Sequence, residues 1–127
     1  MYEGYDINKQ MIDFCRKRFL RFNFFCDARP VNDCDVCLMS GTYNYAVTDD
    51  VELWESYFLY NISLCLDKCR LGLIFNLQFE KKRSIRNSIY YTNIHYMLNL
   101  LRAKFSNIEK YSSANTGKDV YFIIYKT

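Results

Sequence analysis

Two carboxylates stand where short apolar segments end: Asp6 in Tyr5-Asp6-Ile7-Asn8 and Asp27 in Phe24-Phe25-Cys26-Asp27-Ala28. A carboxylate at a strand end can accept two hydrogen bonds from a ribose diol, and a second one can accept from an exocyclic amine. A third strand-like run ends in Ser40-Gly41-Thr42-Tyr43-Asn44, where Gly41 lets a ligand approach the backbone closely. A fourth carries Asn76 inside Leu71-Gly72-Leu73-Ile74-Phe75-Asn76-Leu77. Each also has a plainer reading. Asp6 and Asn8 suit a helix cap, Asp27 before Arg29-Pro30 suits an ordinary turn, and Ser40-Gly41 suits a strand-ending turn. A buried Asn76 amide must be hydrogen-bonded, so it is either a tie to a neighbouring loop or a ligand contact.

Other chemistry is weakly signalled. His95 is the single histidine and sits among Ile94, Tyr96 and Met97, where a structural role is favoured over that of a base. Cys34-Asp-Val-Cys37 matches C-x-x-C without a second pair, and Cys65 and Cys69 read as small apolar filler on one helix face. No metal site is expected. Arg16-Lys17-Arg18 and Lys81-Lys82-Arg83 are short clusters that read as solvated faces rather than phosphate patches. The sequence holds no G-x-S-x-G elbow, P-loop, H-E-x-x-H or complete G-x-G-x-x-G.

The elements that must position these residues alternate in period. Tyr2 to Ile7 reads as a strand. Asn8 then caps a helix through Met11, Ile12, Cys15 and Phe19, with cations near its C-terminal end. Asn23 to Asp27 and the apolar run Asp35 to Ser40 read as strands. After a polar loop, Asp49 or Asp50 caps a long helix through Leu53, Trp54, Tyr57, Phe58, Ile62 and Cys65. Leu71 to Leu77 is a buried strand, and Glu80 to Ser88 a charged loop. A helix then runs through Ile94, Met97, Leu98 and Leu101 to near Phe105. Ile108 to Ser112 and Val120 to Lys126 close the chain as an antiparallel pair at a sheet edge. This order predicts an α/β fold, a mainly parallel sheet with helices on both faces.

The 127 residues are half apolar or aromatic and carry a net charge of +3, which fits one domain spanning 1–127. The mild, mixed charge gives no basic stripe for nucleic acid. No apolar run approaches the ~20 residues that span a bilayer. Six cysteines without a preceding secretory signal read as free thiols of a cytoplasmic protein.

In order and spacing, these segments resemble the class I, Rossmann-type S-adenosylmethionine-dependent methyltransferases from their second strand onward. Tyr5-Asp6-Ile7-Asn8 with the helix after it is similar to the family's second strand and helix. Phe24 to Ala28 is similar to the third strand and its acidic turn, and Asp35 to Thr42 to the fourth strand and exit loop. Ser40-Gly41-Thr42-Tyr43-Asn44, the Trp54 helix, Gly72 to Leu77, Tyr90-Tyr91 and Val120 to Lys126 resemble a small bacterial branch of that family. The resemblance implies methyl transfer from S-adenosylmethionine to a small-molecule acceptor. It implies Asp6 at the ribose, Ile7, Asp27 and Ala28 around adenine, and Ser40 and Gly41 at the methionine portion. Tyr43, Asn44, Tyr45, Asn76 and Tyr91 fall on the acceptor side, and no general base is assigned.

One departure matters. In the family's sheet order, 3-2-1-4-5-7-6, the central first strand, its glycine-rich loop and its first helix would precede Tyr2, and they are absent from this sequence. The chain is therefore expected to be a partial domain. Three accounts follow: a fragment of a longer enzyme, a chain completed by homo-oligomerisation or strand exchange, or a degenerate, cofactor-free interaction module.

Overall fold

A computed structural model describes residues 1–127. The chain is α/β, with eight strands and three helices, and it divides into two units, Met1–Asp33 and Cys34–Thr127.

The first unit is a β-α-β motif. Strand β1 (Glu3–Asp6), helix α1 (Lys9–Arg18) and strand β2 (Asn23–Cys26) follow one another, and β1 pairs with β2 in parallel. Asn8 caps α1, its Oδ1 accepting from the N–H groups of Gln10 and Met11 at 3.0 and 3.2 Å. Arg16, Lys17 and Arg18 occupy the last turn, where the helix dipole favours positive charge. Arg16 also reaches across the motif, donating from Nε and Nη2 to the carbonyl oxygen of Phe24 at 3.0 and 2.8 Å.

The second unit is built on strand β4 (Cys69–Phe79), the longest in the chain. Strand β3 (Cys34–Met39) pairs with one edge of β4 in parallel, from Cys34↔Cys69 to Met39↔Phe75. Further along that edge, β6 (Ile89–Thr92) pairs in parallel at Gln78 and Phe79. The opposite edge takes β8 (Asp119–Tyr125) antiparallel over seven residue pairs, and β7 (Ile108–Ser112) lies outside β8. Leu73, Phe75 and Leu77 face the core with their cross-strand partners Ile124, Phe122 and Val120, and all six are fully buried. Helix α2 (Val51–Asp67) is capped by Asp50 through Leu53 N–H at 3.0 Å and buries Trp54, Phe58, Ile62 and Cys65. Helix α3 (Ile94–Lys104) is capped by Asn93 and buries Met97, Leu98 and Leu101.

Three expectations need correction. The sheet around β4 is mixed and mostly antiparallel, because β8 inserts between β4 and β7 with its direction reversed. Glu80 to Ser88 is not all loop: β5 (Ser84–Arg86) forms a hairpin with β6, closed at Asn87 and Ser88. Both turn residues have positive φ, 50° and 64°, as a two-residue type I′ connection requires. Cys69 opens β4 instead of extending the helix, which ends at Asp67.

That shift gathers four thiols. A register irregularity between Cys34 and Val36 turns Cys34 and Cys37 to the same side of β3, toward Cys65 and Cys69. The sulfurs of Cys34 and Cys69 are 3.8 Å apart. The hydrogen bond with Cys65, added to burial, pushes the Cys37 thiol up to about 12, and its contact with Cys37 likewise raises Cys69. No group of three or more His, Cys, Asp and Glu side chains is arranged to hold a metal ion.

Two outcomes test this packing. A Cβ on Gly72 would lie 2.5 Å from the backbone oxygen of Ile124, so Gly72→Ala must force β8 outward. It should destabilise the protein by ~1–3 kcal/mol in urea denaturation, as overpacking does. Because the thiolate is the reactive form, iodoacetamide at pH 8 should label exposed Cys26 well before Cys37 or Cys69. Equal rates of labelling would contradict the buried thiol cluster.

Candidate functional site

The residues singled out from the sequence fall into two groups, one in each unit. In the first unit, parallel pairing sets Asp6 opposite Cys26, so β1 and β2 end side by side. Asp27 follows directly, its N–H donating to the carbonyl oxygen of Asp6 at 3.1 Å. The two carboxylates thus leave neighbouring strand ends. Asp6 Oδ1 accepts the N–H of Asn8 at 2.7 Å, which fixes the turn into α1 and leaves Oδ2 without a protein partner. Asp27 Oδ1 accepts from Arg29 N–H at 3.4 Å. Asp6, Ile7, Asp27 and Ala28 are all exposed, Ile7 at 77%. Both plain readings of the acids therefore hold in part: each shapes its turn, and each still presents oxygen to solvent.

In the second unit, Asn76 decides the local geometry. It lies in the middle of β4, 6% exposed, and its Oδ1 accepts the N–H of Gly41 at 2.6 Å. The amide is a tie to a neighbouring loop, one of the two roles its burial allowed. Its Nδ2 faces Asp119 Oδ1 at 3.5 Å. Ser40 and Gly41 leave β3 just beyond the Met39↔Phe75 pair, so this one side chain fixes the exit loop at the carboxyl end of β3. Gly41 has φ of +71°, and a Cβ there would meet only Asn44 Nδ2, at 3.9 Å. The loop is therefore held from below and open above.

The remaining residues have distinct placements. Tyr43 is buried at 6% exposure against Phe58 and Trp54, and its carbonyl oxygen accepts the Trp54 indole N–H at 3.1 Å. Asn44 accepts the N–H of Tyr90 through its backbone oxygen at 2.9 Å, and its side-chain Oδ1 is buried without a partner. Tyr45 is 63% exposed and bridges to Ile89. Tyr91 is half-buried, with the Arg86 guanidinium over its ring at 4.7 Å and Lys118 Nζ at 5.6 Å.

Sequence reasoning missed the pair that anchors the β5–β6 hairpin. Arg83 donates to buried Glu55 on α2 at 2.5 Å and lies over the Tyr96 ring at 4.0 Å. Burial raises the Glu55 carboxyl above the usual range, against the pull of Arg83. Nothing in the residue types joins positions 28 apart; only the tertiary placement does.

No protein-family model matches the chain, and a search of curated proteins finds no match. Among solved structures, it is similar to a chain from the structure of the Pnkp1/Rnl/Hen1 RNA repair complex, with a TM-score of 0.61 at 13% identity. The likeness covers 98% of this chain and 31% of that one, so this chain spans about a third of its structural neighbour. At that identity the likeness is one of fold. No helix is long and apolar enough to cross a membrane.

Removing the Asn76 amide tests the loop tie. Asn76→Ala leaves a Gly41 N–H unpaired and should cost ~1–3 kcal/mol of stability. In ¹⁵N-resolved spectra the Gly41 amide should shift more than those of α1. An unmoved Gly41 resonance would show that the tie does not hold the loop.

Proposed function

We propose that this chain forms the cofactor- and acceptor-binding part of a class I S-adenosylmethionine-dependent methyltransferase acting on a small-molecule acceptor. The observation that carries this reading is the pair Asp6 and Asp27, set side by side at the carboxyl ends of two parallel strands. Open α/β sheets bind ligands beyond such ends.

Strand order supports the same reading. The neighbours β2-β1 correspond to the family's third and second strands. The path β3-β4-β8-β7 corresponds to its fourth, fifth, seventh and sixth, including the reversed seventh. Each unit also has a strand with a single partner, β1 with β2 and β3 with β4.

The residues present fit the cofactor chemically. Asp6 Oδ2 is unpaired, exposed and available to a ribose diol, and Asp27 offers acceptor oxygens nearby in the same unit. In the other unit, a Cβ at Gly41 would meet only Asn44 Nδ2, at 3.9 Å, so the Ser40-Gly41 backbone can be approached closely. S-adenosylmethionine supplies an already reactive methyl group on a sulfonium. The protein's contribution is then alignment, worth many orders of magnitude in rate without a general base. Asn76 acts as a positioning residue, holding the loop beside which an acceptor would lie.

A second reading has its own observation. Val36 and Leu38, on the outward face of β3, are 47% and 70% exposed beside an unpaired strand edge. An interaction module that gains a strand by β-augmentation would use such an edge.

Calorimetric titration with S-adenosylmethionine separates the readings. Micromolar binding by the chain supports the enzyme, with Asp6→Ala weakening it about tenfold or more for loss of a charged hydrogen bond. Binding restored only when a strand with a glycine-rich loop is supplied supports an incomplete enzyme. No binding under either condition rejects the methyltransferase and leaves the interaction module.

A further inference from the structure

The carboxyl ends of β4 and β6 open onto a wide, shallow surface recess. The two strands run parallel and finish together, Phe79 beside Thr92. Phe79 and Ile94 supply apolar walls, and Lys81, Lys82, His95 and Lys118 line the rest. Glu80 is the one acid in the lining, and its Oε1 is already engaged by Arg86 at 2.7 Å and Lys118 at 2.9 Å. Lys81 and Lys82 form no ion pair, so the concavity carries unbalanced positive charge.

The segments that bring these cations are tied together by backbone. Phe79 N–H donates to Lys118 O and Glu80 N–H to Thr92 O, both at 2.9 Å. Asn93 Nδ2 donates to Lys81 O, also at 2.9 Å, which holds the lysine pair beside the first turn of α3. The third member of the cluster, Arg83, is turned away to Glu55 and Tyr96. The backbone that carries Lys81 and Lys82 is thus tied to α3, and that of Lys118 to β4.

We propose that this concavity binds the phosphate group of a phosphorylated small molecule. Lysine ammonium groups are mobile point charges, which suit a tetrahedral dianion better than a planar carboxylate, which favours the fork of an arginine. A small molecule is favoured over nucleic acid because the lining brings only Lys81, Lys82 and Lys118 together, too few cations for a continuous basic stripe. The recess lies about 10 Å beyond Asn76 along β4, at ~3.3 Å per residue. On the methyltransferase reading, which this assignment of role rests on, the bound molecule is the methyl acceptor.

The test is a ¹⁵N NMR titration of the full chain with inorganic pyrophosphate and with ribose 5-phosphate, at constant ionic strength and without cofactor. Saturable shifts should appear at Lys81, Lys82, His95 and Lys118. The double variant Lys81→Glu, Lys82→Glu, whose side chains are exposed and unpaired, should keep the native spectrum elsewhere and bind roughly tenfold or more weakly. Absence of saturable shifts, or equal affinity in the variant, overturns the site. Tighter binding of a single-stranded RNA oligonucleotide, with shifts spreading beyond the recess, overturns the small-molecule assignment. Saturable phosphate binding in a chain that never binds S-adenosylmethionine would reject the acceptor role while leaving the anion site standing.

Discussion

Strand β4 is hydrogen-bonded along both edges, and most of the second unit is arranged by that fact. One edge is shared end to end by β3 and β6, and the other is taken by β8. A strand so enclosed has no solvent for its backbone groups, so each must find its partner in the protein. The approach of β8 is close enough that position 72 has no room for a side chain. The apolar face of Leu73, Phe75 and Leu77 then stacks on that of β8, with the Phe75 and Phe122 rings 5.3 Å apart. Within this strand one polar side chain, Asn76, is buried, and it reaches sideways to Gly41. The carboxyl-end loop of β3 is therefore held by the sheet itself.

Local chemistry made much of the fold legible. Asn8 was readable as a cap, and Asp49 or Asp50 as another, of which the structure uses Asp50, because short polar side chains satisfy first-turn N–H groups. The apolar runs at β3, β4 and β8 were readable as strands, but burial of β3 on both faces was not found: Val36 and Leu38 are exposed. The short strand β5 was not. Ser84-Ile85-Arg86 has no apolar alternation, and its turn reaches positive φ with Asn87 and Ser88 instead of glycine. The pairing of β8 with β4 was implied by the resemblance alone, since an apolar run carries no sign of which neighbour it will join.

The candidate site divides in the same way. The adjacency of Asp6 and Asp27 follows from two short strands joined by one helix, which local pattern suggests. The burial of Tyr43 does not, because its fate depends on Trp54 and Phe58 from a distant helix. The run Lys81-Lys82-Arg83 is instructive: three adjacent cations of similar formal charge have two different roles. Arg83 is drawn inward by a buried carboxylate, while the two lysines stay at the surface.

Strand β3 has a consequence for how the chain behaves in company. Natural sheets blunt their outermost strands with lysine, proline or inward charges. The six residues Cys34–Met39 contain neither lysine nor proline, and their single charge, Asp35, is engaged by Arg70 at 2.8 Å. A border of this kind can template stacking of identical chains. Neither a lysine nor a proline stands in the way of such pairing here.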